Sequence, residues 1–201
     1  NSFVIPVAQG WLGSPRLRIQ VEITYADNST EVLTTDRFRS VTTGPIVYSS
    51  IFDGEQYDAR LESDQIYAPG VPPALMNESW AWAHNTDDPT GKMVSQRVEP
   101  IRIVEEITPT LLKEPQPGVY VFDAGRNLAG WASLKVRGEI GTKITLRFAE
   151  TIHDNGFVNQ QNLRNAKATD TYILSGKGIE NWDPAFSYHG FRYVQIEGLS
   201  S

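Results

Sequence analysis

The sequence predicts an all-β protein: two antiparallel jelly-roll-type β-sandwiches in tandem, the first of them incomplete. Three observations predict this. Segments such as GVYVFDAGRNLAGWASLKVRG, GTKITLRFAETIHDNGFVN and WDPAFSYHGFRYVQIEG alternate apolar with polar residues, the pattern of strands with one buried face. Gly, Pro, Asp or Asn bounds each segment. No stretch holds a helical period over a useful length.

Residues 2–8 (SFVIPVA) read as a strand at an edge or bulge, because Pro6 cannot donate to a ladder. A chain that opens directly in a strand implies missing sequence or a partner to cover that edge. Residues 9–15 form a loop carrying Trp11. Residues 17–25 alternate Leu17, Ile19, Val21, Ile23 and Tyr25, turn at Ala26–Ser29, and return over 30–34 as a hairpin. Turn signals at Thr43-Gly44-Pro45 and Phe52-Asp53-Gly54-Glu55 bracket a strand over 46–51.

Residues 62–93 read as a long loop holding Trp80, Trp82 and His84, with one short helical turn over 74–82. A strand is expected over 98–107. The Pro-rich stretch through 108–117 then reads as a stiff connector, which divides the chain into domains at 1–107 and 108–201. In the second domain strands are expected over 119–122, 131–136, 143–149, 168–174, 185–188 and 192–197.

Bulk properties exclude several classes. With 201 residues, 40% hydrophobic and 21% charged, the chain is an ordinary globular one. A net charge of −6 and scattered Lys and Arg argue against nucleic acid or an anionic membrane as partner. The absence of cysteine excludes disulfides, a thiolate nucleophile and Cys-ligated zinc. No apolar run reaches the roughly 18 residues of a membrane span. The triplets Asn28-Ser29-Thr30 and Asn77-Glu78-Ser79 would accept glycans only in a eukaryotic secretory pathway.

Candidate chemistry reduces to a few constellations. Glu150 with Asp154, and Glu55 with Asp58, are the carboxylate pairs to try as acid and base, yet each fits a turn or a local ion pair with Arg60. His84, His153 and His189 lack metal-ligand spacing, and His189 reads as a hydrogen-bonded structural imidazole. No G-x-S-x-G elbow supports a serine nucleophile. Asp123, Asn127 and Trp131 read as a side-chain-stabilised turn entering a strand.

Four strings, TGPIVYSSIFDGEQYDARLE, VYVFDAGRNLAGWASLKVRGEIGTKITLRFAE, NLRNAKATDTYILSGKG and YHGFRYVQIEG, resemble bacterial α-L-rhamnosidases of glycoside hydrolase family 78. The resemblance covers nearly the whole chain. It implies the rear part of that family's N-terminal β-sandwich up to about residue 107, and its concanavalin-like β-sandwich from about 110. It also implies a catalytic helical (α/α)6 barrel that these residues do not contain. Such a barrel inverts the anomeric centre with two carboxylates about 6.5–9.5 Å apart.

The expected role is therefore a non-catalytic scaffold of a rhamnosidase-type enzyme, with no catalytic residue in this chain. The alternative is a free-standing L-rhamnose-binding module, in which loop tryptophans Trp11, Trp80 and Trp82 would stack on the apolar face of a sugar. The resemblance implies that some relatives bind rhamnose through calcium held by an Asp-Asn pair in the first loop. Gln9 and Gly10 stand at the matching positions and offer few oxygens, which disfavours calcium without excluding it, and no other cofactor is expected. The resemblance implies rhamnose-containing glycans and the rest of the parent enzyme as partners, and an extracellular or periplasmic location.

Overall fold

The structure, a computed structural model, describes residues 17–34, 40–62, 81–82, 84, 86 and 94–199. The described residues are all-β, with two three-residue 3-10 turns, Ala59–Leu61 and Gln161–Leu163, and no α-helix. They fall into two compact units. One takes the described residues of 13–43 and 65–106, the other those of 44–64 and 107–201.

In the first unit β1 (Gln20–Thr24) pairs antiparallel with β2 (Thr30–Thr34), so the predicted hairpin forms. Asn28 takes a positive φ at its tip, and Asp27 Oδ1 accepts the Ser29 N–H and hydroxyl. The short strands β3 (Ser40–Val41) and β6 (Ala81–Trp82) also pair.

The second unit is organised by one seven-stranded sheet. Its strands are β4 (Ile46–Ser50), β5 (Gly54–Asp58), β7 (Thr110–Gln116), β8 (Val119–Gly130), β10 (Lys143–Ala149), β13 (Thr169–Ile173) and β15 (His189–Glu197), in spatial order β4-β5-β13-β10-β15-β8-β7. All pairings are antiparallel except β5 with β13, which run parallel. The sheet thus draws two strands from before residue 107.

Alternation decides its two faces. Ile144, Leu146, Phe148, Tyr172 and Phe191 point into the main core. There they meet Leu134 and Trp182 from a two-stranded sheet of β9 (Leu134–Arg137) and β14 (Ile179–Trp182). Tyr172 stacks on both Tyr57 and Trp182 in that core, and Tyr57 and Trp182 meet at a tilt, with centroids 5.3–6.1 Å apart. On the other face Val121 and Ala149 pack with Val158, carried by the hairpin β11 (Thr151–Ile152) and β12 (Val158–Asn159).

Several expectations differ from the outcome. Residues 98–107 form no strand; they are exposed almost throughout, and Pro100 deletes a ladder donor. The expected stiff connector is largely strand β7, where Pro115 is tolerated because β7 is an edge. Residues 185–188 are a loop, not a strand, since the Ala185 and Phe186 N–H groups donate to Glu55 instead of to a ladder. The turn expected at Phe52–Glu55 ends at Asp53, and Gly54 begins β5. The Asp123–Asn127 turn is a wide bulge inside the continuous β8: Asp123 pairs with Tyr193 and Leu128 with Phe191, and the residues between oppose Arg192 alone. Gly125 supplies the positive φ this needs, and Asp123 Oδ1 accepts its N–H. The strand expected over 2–8 and most of the helical turn expected over 74–82 lie outside the described residues.

Candidate functional site

The most concentrated polar chemistry in the second unit is a node that links β5, β13 and the loop entering β15. Gly54 starts β5 at φ +105°, where a Cβ would come within 2.3 Å of the Thr169 carbonyl oxygen. That close approach lets the Glu55 N–H donate to Asp170 Oδ1 at 2.8 Å. The Ser187 hydroxyl reaches the same oxygen at 3.4 Å, and His189 Nε2 lies 3.1 Å from it. Glu55 in turn accepts the N–H groups of Ala185 and Phe186 at 3.1–3.2 Å. The four side-bearing residues are nearly sealed from solvent: Glu55 is 0% exposed, Asp170 1%, His189 4% and Ser187 5%.

Serine, histidine and aspartate thus meet, but not as a catalytic triad. In a triad the serine hydroxyl faces the imidazole and the aspartate braces its far nitrogen. Here the serine and the histidine both face the aspartate, and the Phe148 ring stacks on the imidazole at 4.3 Å between centroids. The node can hold backbone in place; it has no opening for a substrate. Burial pushes the Glu55 carboxyl above its ordinary range, and the Asp170 and Asp183 charges add to that rise, while the two backbone donors oppose it. Asp170 Oδ2 is buried with no hydrogen-bond partner among the described residues.

Glu180 shows the opposite balance. Burial raises its carboxyl, but the Ser175 and Gly176 N–H groups and the Tyr172 and Ser175 hydroxyls together bring it below the ordinary value. That carboxylate fastens the turn after β13.

The carboxylate pairs read from the sequence are separated into structural tasks. Asp58 caps the 3-10 turn through the Arg60 N–H and pairs with the Arg60 guanidinium at 2.7 Å, which holds its carboxyl below the ordinary range. Glu150 accepts the side-chain amides of Asn127 at 2.7 Å and Asn162 at 3.1 Å at an exposed strand end. Asp154 lies in the exposed turn closed by the Gly156 N–H on the His153 carbonyl. Asp123 forms a two-pronged pair with Arg192 at 2.9 Å, which lowers its carboxyl. Trp131 is half-buried just before β9, and His84 is exposed.

Of the candidate sugar-stacking residues, Trp11 and Trp80 lie outside the described residues, as do Gln9 and Gly10. Trp82 pairs through its backbone with Ser40, and its side chain is likewise outside the description. Among the described residues no group of three or more His, Asp or Glu side chains converges to hold a metal ion. His189 is the hydrogen-bonded imidazole that the sequence suggested, but its convergence with Glu55 and Ser187 on Asp170 is the feature that reading the sequence missed. The further signal was Asp170, a charged residue at an inward position of ATDTYIL.

Comparisons with known proteins match two successive stretches of the chain, the first of which includes residues 44–64 of the second unit. Residues 6–105 match the alpha-L-rhamnosidase N-terminal domain family, and residues 113–201 match the bacterial alpha-L-rhamnosidase concanavalin-like domain family. A curated alpha-L-rhamnosidase of Streptomyces avermitilis is 36% identical over 99% of this chain, which spans 20% of that relative. One of Alteromonas sp. is 35% identical over 92% of the chain, again 20% of the relative. Among solved structures, the Streptomyces avermitilis alpha-L-rhamnosidase complexed with L-rhamnose superposes with a TM-score of 0.82 at 38% identity, covering 90% of this chain and 17% of that one. An alpha-L-rhamnosidase from Dictyoglumus thermophilum gives 0.81 at 40% identity, over 92% and 20% of the two chains. The chain therefore spans about a fifth of the length of the relatives it matches.

Proposed function

Because the chain belongs to the bacterial α-L-rhamnosidase family through that family's N-terminal and concanavalin-like domains, we propose that it is the non-catalytic β-sandwich portion of a longer rhamnosidase-type enzyme. In this reading it packs against the helical catalytic barrel and holds its orientation towards rhamnose-containing glycans. One observation carries the reading: two accessory-domain families account for nearly the whole chain, while the relatives are about five times as long.

The site chemistry supports it. Inverting hydrolysis needs two carboxylates facing a substrate across a water, and the prominent carboxylates of the second unit are committed to backbone turns, amides or guanidinium groups. An assay of the 201-residue chain on an aryl α-L-rhamnoside tests this. The expected result is a rate no higher than buffer alone; turnover by the pure chain would sink the reading.

A rhamnose-bound relative structure that covers 90% of this chain favours one second reading, a carbohydrate-binding module using Trp11, Trp80 or Trp82. Titrating L-rhamnose to millimolar concentration, with and without calcium, should then quench tryptophan fluorescence. A flat titration in both conditions removes that reading. An extracellular or periplasmic location follows from the parent-enzyme proposal, and fractionation of source cells checks it.

A further inference from the structure

We propose that the loop before β15 is a docking finger, whose Phe186 and Tyr188 rings seat in an apolar pocket on the remainder of the parent polypeptide. The proposal rests on the parent-enzyme reading above and names the surface through which that reading operates.

The two sides of this loop are treated differently. On the inner side, two carboxylates from neighbouring strands hold it: Glu55 accepts the N–H groups of Ala185 and Phe186, and Asp170 receives Ser187 and His189. On the outer side, Phe186 is 43% exposed and Tyr188 41%. Inward Ser187 separates the two rings, so both flank the same fixed backbone.

Burying two carboxylates, one with an oxygen that has no partner among the described residues, is an expensive way to close a loop. Apolar packing would give more stability, and what the polar node adds is a unique backbone conformation. Among the other exposed apolar residues of this unit, Phe52 is a single ring at the tip of the braced β4–β5 turn, Leu111 and Leu112 lie on the edge strand β7, and Ile179 lies on the short β14, whereas Phe186 and Tyr188 are two rings on one braced loop. Rigid aromatic anchors lose little entropy on docking and dominate interface energetics when a pocket receives them. Most of each relative's length lies beyond the span matched here. That is the protein such an anchor would meet.

The test compares the isolated 201-residue chain with the parent polypeptide by calorimetry. Each is prepared as wild type, as Phe186→Ser/Tyr188→Ser and as Leu111→Ser. The expected result is that the double variant leaves the isolated chain's Tm within about 2 °C, as surface changes do. In the parent it should split this unit's unfolding away from the main transition, while Leu111→Ser does neither. An equal drop in both preparations, or no change in the parent, overturns the docking role. Intact mass, measured first, separates failures: a source protein of 22.5 kDa removes the parent reading and the docking proposal together, whereas a larger protein with an indifferent double variant removes the docking proposal alone. Perturbation of the wild-type Tyr188 signal by methyl α-L-rhamnoside in the isolated chain would assign the ring to sugar and also overturn the proposal.

Discussion

Asp170 Oδ1 accepts the backbone N–H of Glu55 at 2.8 Å, a bond between residues 115 positions apart that ties β5 to β13. The same oxygen receives Ser187 and His189, so one atom fixes the junction of two strands and a loop. Removing it leaves several buried donors without an acceptor. Asp170→Ala should destabilise the second unit by about 3–5 kcal/mol, the range for breaking a buried polar network. Urea unfolding monitored by far-UV circular dichroism checks this; a loss no larger than that of an exposed substitution would contradict the central position given to Asp170.

Glu55 sets a pH dependence with a definite sign. Its folded carboxyl titrates above the ordinary 4.5 because burial disfavours the charge. The folded state therefore holds the proton more tightly than the unfolded state. Stability from this group is fully present below about 4.5 and is lost as pH rises through the raised folded value. Measured against Glu55→Gln, which does not titrate, the wild type should gain relative stability between pH 7 and pH 4.5. A relative loss over that interval would reverse the assignment.

The Asp123–Arg192 pair runs the other way. Its lowered carboxyl contributes above the unfolded value near 3.9 and loses that contribution as pH falls through the folded one. The Arg192 side chain is 40% exposed, so solvent screens the pair. A double-mutant cycle with Asp123→Asn and Arg192→Gln should give a coupling of about 0.5–1 kcal/mol at low salt and less at 1 M NaCl. A salt-independent coupling above this range would show the pair to be effectively buried.

Two glycines with nearly the same positive φ separate strain from collision. A Cβ at Gly54 meets the Thr169 carbonyl oxygen at 2.3 Å, whereas one at Gly178 has nothing within 4 Å. Gly178→Ala should cost about 1–2 kcal/mol from backbone strain alone. Gly54→Ala should cost about 3 kcal/mol or more, because β5 and β13 must part. Equal Tm losses would mean that the strand contact yields freely.

The sequence was informative where one local rule decides a strand. β10 is legible because Ile144, Leu146 and Phe148 recur every second residue, β13 because Ala168, Tyr172 and Leu174 keep the same parity, and β15 because its apolar residues continue to Ile196. The β1–β2 turn is legible because Asp27, Asn28 and Ser29 carry turn chemistry in their own side chains. β5 was hidden: GEQYD begins with a glycine and buries a glutamate, which locally reads as a turn. The buried node was hidden for the same reason, since only a parallel pairing with β13 places Glu55 beside Asp170. Residues 98–107 misled in the opposite direction, having strand-like composition and no ladder partner among the described residues.

The most direct measurement is the intact mass of the source polypeptide that carries this segment, obtained by mass spectrometry after affinity capture through it. The account predicts a chain roughly five times heavier than 22.5 kDa, in proportion to the relatives. A mass near 22.5 kDa would contradict it, because no catalytic barrel would exist for these sandwiches to hold.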